Sequence, residues 1–438
     1  MQEILQSISS QQQEERLETC LQYLKNDRGD PELLQAIRIF MAQNTKDDEV
    51  PQGSSPLLPT ETSSSSSPSS SSLDDNMFLT HGVSHGLDIL CTTQTHPGDI
   101  VLVERPTYFL GAVIFQSHGL KVQSLPMKKA DNGILTVDVD VLHEGLWSGT
   151  IHIPRMIYIV PTHQNPTGHT MPLEDRWKLC RLARQYNILV LADEVYHLLD
   201  WRQNERVGNV VKKRPARFSV LDQLVAETIP VRTPTTQDDI NQTERLGGSV
   251  SVSSFTKIFA PGVRCGWIEG STEIIQSLVN LGYIQSQGGC APFVGELLRT
   301  ALTGGWQERI LKKLNASYQA RCDMLCDILQ TEPGIQVRIR PTGGFFVWVD
   351  FLDLPKDESS QLDPASAFAT YCLSRGLKFM PGVRCDPLVD DCDQSRQSKD
   401  LCYNSARLCF ADQNVEDVEN GAKLLIDCYR DYTSQSTQ

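Results

Sequence analysis

Short apolar runs set between amphipathic stretches give this chain its outline. Asp99-Ile-Val-Leu-Val103, Met156-Ile-Tyr-Ile-Val160, Ile188-Leu-Val-Leu-Ala192 and Ser249-Val-Ser-Val-Ser-Ser-Phe255 each read as a buried strand. Lys121 to Leu125 reads as a further strand, and Gly86 to Leu90, Tyr108 to His118 and Pro172 to Tyr186 read as helices. In the last of these, Leu173, Trp177 and Cys180 mark one face. Glu174 and Asp175 stand early and Arg181 and Arg184 late, as a helix dipole prefers. Strands alternating with helices predict an α/β fold built on a mostly parallel, doubly wound sheet.

The flanks read differently. Leu17 to Met41 has a helical pattern around a Gly29-Asp30-Pro31 break, with Leu33, Leu34, Ile37 and Ile39 as apolar positions. Beyond Phe255, a strand at Cys265 to Glu269 precedes a largely helical 272–329. Strands at Gly344 to Asp350 and Ala406 to Phe410, with helices near 364–375 and 415–430, predict a smaller α+β domain. Two stretches break the rhythm. Gly53 to Ser72 is serine-rich and too polar to pack, which predicts a disordered insertion. Arg202 to Leu246 mixes charges and prolines with few apolar anchors and reads as a second, exposed insertion. The expected division is an N-terminal helical segment (1–50), the serine-rich insertion (51–76), a large domain (77–330) interrupted at 202–246, and a small C-terminal domain (331–438).

Composition narrows the class. With 438 residues the chain can bury a large core and a second, smaller one. No run of about 18 apolar residues predicts a membrane span. Met1 to Arg16 is polar and glutamine-rich, without a signal-peptide core. A net charge of -14 argues against nucleic acid as a partner. The 13 cysteines are odd in number and irregularly spaced, with no Cys-x-x-Cys pair, which reads as small buried hydrophobes in a reducing, cytoplasmic setting. The nine histidines form no metal-binding spacing, so no metal is expected.

Chemistry concentrates where the strands end. In open α/β sheets ligands sit beyond the carboxyl ends of the strands, and these four strands lead to Tyr108, Asn165, Asp193 with Tyr196, and Lys257. A ring, an amide, a carboxylate, a phenol and a lysine suit pyridoxal phosphate. That cofactor needs a lysine for a Schiff base, a carboxylate at its pyridine nitrogen, an anion cradle and a flat partner for its ring. Lys257 stands alone among apolar neighbours in Ser254-Phe-Thr-Lys-Ile-Phe-Ala-Pro-Gly-Val-Arg264. By itself it would be a surface lysine at a strand end, but Ser254, Thr256 and Arg264 nearby are groups that hold a phosphate. Asp193 is either a helix cap or the pyridine partner. Asn165-Pro-Thr-Gly168 alone is a turn signal, and Tyr108 alone would be a core residue or a ring that stacks on the pyridine. Thr80 to Leu87 opens a helix whose Val83 and Ser84 amides form an anion site, with His81 and His85 read as local packing or capping residues. Arg407 lies inside an apolar strand and needs an anion, either a substrate α-carboxylate or an internal salt bridge.

Together, Thr80 to Leu87, Pro106-Thr-Tyr108, Asn165 to Gly168, Ala192-Asp-Glu-Val-Tyr196, Ser254 to Arg264, Gly343-Gly-Phe345 and Arg407 resemble the class I/II aminotransferases of fold type I. Within that family the resemblance is nearest to the 2-aminoadipate and kynurenine aminotransferases and their fungal relatives. It covers about 20–50, 77–205 and 248–430 and rests on order and spacing together. The resemblance implies the PLP-dependent transferase fold and a homodimer that moves an amino group between an L-amino acid and a 2-oxo acid. It makes Lys257 the Schiff-base lysine and proton carrier, with Asp193 on the pyridinium and Asn165 and Tyr196 on the ring hydroxyl. Tyr108 would stack on the ring, Ser254, Thr256, Arg264, Val83 and Ser84 would hold the phosphate, and Arg407 would bind the substrate carboxylate together with Asn165. Leu21-Gln-Tyr23 resembles the segment whose tyrosine reaches the neighbouring subunit's phosphate. The family's glycine-containing N-terminal stretch has no counterpart in Met1 to Arg16, so the resemblance implies a complete cofactor site beside an incomplete substrate lid. A lyase using the same site, or a cofactor-binding regulator, are the alternative readings.

Overall fold

In the computed structural model, the described residues are 20–23, 26–52, 76–130, 135–202, 206–207, 210–211, 213–229, 246–355, 362–388 and 402–435. Met1 to Arg16 and nearly all of the serine-rich stretch lie outside them.

Seven strands make the main sheet: β1 (Met77–Thr80), β2 (Ile100–Val103), β3 (Lys121–Ser124), β4 (Met156–Ile159), β5 (Leu189–Asp193), β6 (Gly248–Ser254) and β7 (Gly266–Glu269). Their spatial order is β1-β7-β6-β5-β4-β2-β3. The run from β6 through β3 is parallel, and β7 is antiparallel to both of its neighbours. Helices cover both faces, which is why the strands read as apolar throughout. Tyr158, Leu189 and Leu191 enter one apolar core, and Ile157, Ile159, Val190 and Ala192 enter another. Each buried Leu, Ile or Val among them contributes about 1.5–3 kcal/mol. In β6 the valines join the first core. Ser251 on the opposite face accepts the Ser219 amide at 2.8 Å.

A second sheet carries β8 (Ile335–Val337), β9 (Phe346–Phe351), β10 (Met380–Pro381) and β11 (Ser405–Cys409), ordered β8-β9-β11-β10 and antiparallel throughout. Helices Pro364–Ser374 and Val415–Gln435 accompany it. The N-terminal helix, Pro31–Thr45, starts after the predicted break, with Asp30 capping the Leu33 amide at 2.7 Å.

Within the stretch from 202 to 246, residues 213–229 correct the expectation of an exposed insertion. A short hairpin, Arg206–Val207 against Val210–Val211, is followed by a helix, Phe218–Ala226. That helix buries Phe218, Leu221 and Val225 against the second core. The charges that made the segment look exposed are paired instead. Arg184 and Asp222 meet at 2.6 Å, Arg214 meets Asp48 at 2.6 Å, and Arg217 holds Glu269 at 2.7 Å. Residues 230–245 lie outside the described residues.

Candidate active site

At the carboxyl end of β6 the chain turns into a single helical turn, Phe255–Ile258, which carries Lys257. Ser254 caps it, its hydroxyl accepting the Thr256 amide at 3.0 Å. Arg264, in the left-handed region at φ 45°, swings back to donate to the Thr256 hydroxyl at 3.3 Å and to the His81 carbonyl at 3.2 Å. The guanidinium thereby meets the start of helix Val83–Gln94, where the Val83 and Ser84 amides begin the helix. Gly82 is required at that junction. Its φ is +88°, and a Cβ there would stand 3.1 Å from Arg264 Nη2. Gly266 gives room from the other side, since its Cβ would lie 3.0 Å from Gly82 Cα. The phosphate-holding groups expected from sequence therefore converge. His85 accepts the His81 amide at 3.1 Å through Nδ1, the local capping role expected for this pair, and burial pushes its imidazole down to about 4.

Asp193 ends the central strand β5, fully buried. Tyr158 on β4 donates its hydroxyl to Asp193 Oδ2 at 3.0 Å, while Oδ1 is buried with no hydrogen-bond partner. Burial pushes this carboxyl up to about 6, against the pull of Tyr158 and the Val195 amide. Lys257 is shifted down, first by burial, with Asp193 opposing and Arg407 and Arg264 assisting. Its ammonium lies 5.1 Å from the centre of the Phe345 ring. Tyr196 is buried against Phe345 and Phe346, and burial keeps its phenol protonated. Tyr108, half-buried ahead of helix Phe109–Ser117, is shifted up by burial and then by the charge of Asp193.

The two sheets meet at Arg407. From β11 it donates to Asn165 Oδ1 at 2.8 Å and lies over Phe346 at 4.3 Å. No carboxylate pairs with Arg407 among the described residues, and its Nε is buried without a partner. The internal salt bridge is thus absent there, and the guanidinium keeps capacity for an anion. Tyr23 behaves differently. It is 83 % exposed, and no hydrogen bond or ring contact ties it to the other residues among those described.

Two residues escaped the sequence reading. Tyr158 sits in an apolar run and looks like core, although its ring carries a hydroxyl one strand away from Asp193. Cys409 is exposed and lies two residues beyond Arg407, on the same face of β11.

These groups fit pyridoxal phosphate. The unpaired Asp193 oxygen at a strand end suits a protonated pyridine nitrogen, and the Arg264 junction suits a phosphate.

The family described as aminotransferase class I and II matches residues 67–423. An aromatic amino acid aminotransferase of Schizosaccharomyces pombe is 26% identical over 293 residues, 63% of this chain and 57% of that one. A 2-aminoadipate transaminase of Thermus thermophilus is 26% identical over 313 residues, 70% of this chain and 66% of its own length. The chain thus spans little more than half of the first relative and about two thirds of the second. Among solved structures, Pyrococcus horikoshii kynurenine aminotransferase, in complex with PMP, KYN and KYA, superposes with a TM-score of 0.69 at 23% identity. The match covers 98% of this chain and 86% of that one.

Proposed function

Because the chain belongs to the class I and II aminotransferase family, we propose that it is a pyridoxal-phosphate-dependent transaminase. It would move an amino group from an L-amino acid to a 2-oxo acid in two half-reactions. The observation that carries this reading is the buried Asp193 Oδ1, left without a partner while Tyr158 holds Oδ2. A carboxylate so placed asks for a buried cationic N–H.

Pyridoxal phosphate, when bound, supplies an electron sink that weakens the bonds at the substrate Cα. The chain's own residues do the rest. Ser254, Thr256, Arg264 and the Val83 and Ser84 amides would hold the phosphate, and Tyr108 would cover one face of the ring. Asp193 would keep the pyridine nitrogen protonated, while Asn165 and Tyr196 would donate to the ring hydroxyl. Lys257 Nζ would anchor the cofactor and would be the base that takes the proton from the substrate Cα. Its lowered pKa supports that task, since a base must be free of its own proton. Arg407 binds the α-carboxylate beside Asn165, a reading supported by its unpaired Nε.

The substrate side chain is read as aromatic or 2-aminoadipate-like. Phe345 and Phe346 beside Lys257 and Arg407, with Tyr318 packed on Phe345 at 5.3 Å, support an apolar wall, as do the names of the relatives. A homodimer is proposed from the family and from the outward-facing Tyr23, which would reach a neighbouring phosphate. The free cysteines support a reducing, cytoplasmic setting, and no helix among the described residues is long and apolar enough to cross a membrane.

The test is the visible absorption spectrum with added pyridoxal phosphate, before and after a panel of amino acids. The expected result is a band in the wild type that Lys257→Ala lacks, bleached by an amino acid as its 2-oxo acid appears. Turnover should fall by roughly 10²–10⁴-fold in that variant. A band that no amino acid bleaches would overturn the transaminase reading, and no band at all would overturn the cofactor.

A further inference from the structure

We propose that Tyr158 is the positioning residue for Asp193: its hydroxyl holds Oδ2 so that Oδ1 is the oxygen presented to the cofactor's pyridine nitrogen. This deepens the functional reading above and rests on it for the identity of the ring.

Geometry carries the assignment. β4 and β5 are parallel neighbours in which Tyr158 stands opposite Leu191. Paired residues in parallel strands share a face, and so do residues two apart along a strand. Tyr158 and Asp193 therefore lie on one face, a diagonal step apart, and the long phenol spans that step to reach Oδ2 at 3.0 Å. The ring is held by its surroundings. Phe115 meets it edge-on with centroids 5.2 Å apart, and helix Phe109–Ser117 presents Gly111, where a Cβ would lie 3.3 Å from the Tyr158 ring. A larger residue at 111 would push the phenol away. Tyr158 is fully buried, and burial holds its hydroxyl firmly protonated, so it acts on Asp193 as a donor.

The carboxylate has few other partners. Lys257 faces it from the turn after β6, Tyr108 from the segment before helix Phe109–Ser117, and Tyr196 from beyond β5. Glu194 adjoins it in sequence, and Glu104 acts on Tyr158. Within this set, Tyr158 is the side chain whose hydrogen bond holds the carboxylate ionised. Without that bond, burial would act on Asp193 with less opposition, and the proton would stay on it to higher pH.

Tyr158→Phe tests this, because phenylalanine keeps the ring and removes only the hydroxyl. Pyridoxal phosphate affinity is measured by visible titration from pH 5 to 9 in wild type, Tyr158→Phe and Asp193→Asn. In the wild type affinity falls on the acid side as Asp193 takes up its proton. In Tyr158→Phe that fall should move up by about one to two pH units, the scale of one hydrogen bond to a charged group. Asp193→Asn should lose the part of the acid limb that follows Asp193, leaving the fall that protonation of Lys257 causes. An unmoved limb in Tyr158→Phe would overturn the proposal.

A second measurement uses the cofactor-free protein and does not depend on its binding. An acid whose folded pKa is raised contributes stability that is lost as pH rises through that pKa. The stability deficit of Tyr158→Phe against wild type should therefore grow between pH 6 and 8. A deficit that is constant with pH would mean that the hydroxyl serves packing alone, and would overturn the proposal. Failure of the wild type to bind pyridoxal phosphate would overturn the functional reading and leave this result standing.

Discussion

At the scale of single residues, chemistry and burial explain why some assignments came easily. Lys257, Asp193 and Arg407 are charged groups in apolar settings, and such groups ask for a partner. Tyr158 gave no such signal, because a tyrosine inside an apolar strand usually satisfies its hydroxyl wherever packing allows. Only the register of β4 against β5 brings that hydroxyl to Asp193. Arg407 illustrates how geometry sets a prediction. Its contact with Asn165 and its position over Phe346 use the planar fork, which lysine lacks. Arg407→Lys should therefore raise the KM for the amino acid by roughly tenfold or more, equivalent to about 1.5–3 kcal/mol for a charged hydrogen bond. Cofactor affinity should stay close to wild type. Steady-state kinetics beside a cofactor titration separates the two, and an equal loss of both would place Arg407 in the cofactor site.

At the scale of elements, hydrophobic periodicity was a sound guide where a segment was apolar enough to speak. The buried strands and the helix over 173–185 stand close to where their patterns placed them. Helix Phe218–Ala226 was hidden by its company, since Arg214, Arg217 and Asp222 lie within or beside its apolar positions. Sequence alone read those charges as solvated. Tertiary structure pairs them, with Asp222 accepting from Arg184 of the neighbouring helix at 2.6 Å and 3.0 Å. Asp222→Ala would strand a buried guanidinium and should cost about 3–5 kcal/mol. Urea unfolding at constant m-value would register it. A change within about 0.5 kcal/mol would instead be the behaviour of a surface position.

At the scale of the whole molecule, the site lies between two sheets, with Lys257 and Asp193 at strand ends of one and Arg407 on a strand of the other. The proposed dimer adds a third contributor through Tyr23. Tyr23→Phe should weaken cofactor binding, and a mixture of Tyr23→Phe with Lys257→Ala chains should recover activity. A mixed dimer would have one intact site, so random reassortment should restore about a quarter of wild-type activity per chain. Recovery no greater than the sum of the separate variants would place Tyr23 outside the neighbouring site. The sequence by itself determined the strand–helix alternation, the family resemblance and the residues that end each strand, because all of these are local patterns or fixed spacings. Only the tertiary structure decided which charges pair, which Asp193 oxygen stays unpaired and what lies across from Arg407. Those outcomes depend on strand register and on contacts between residues far apart in the chain, and no local pattern carries that information.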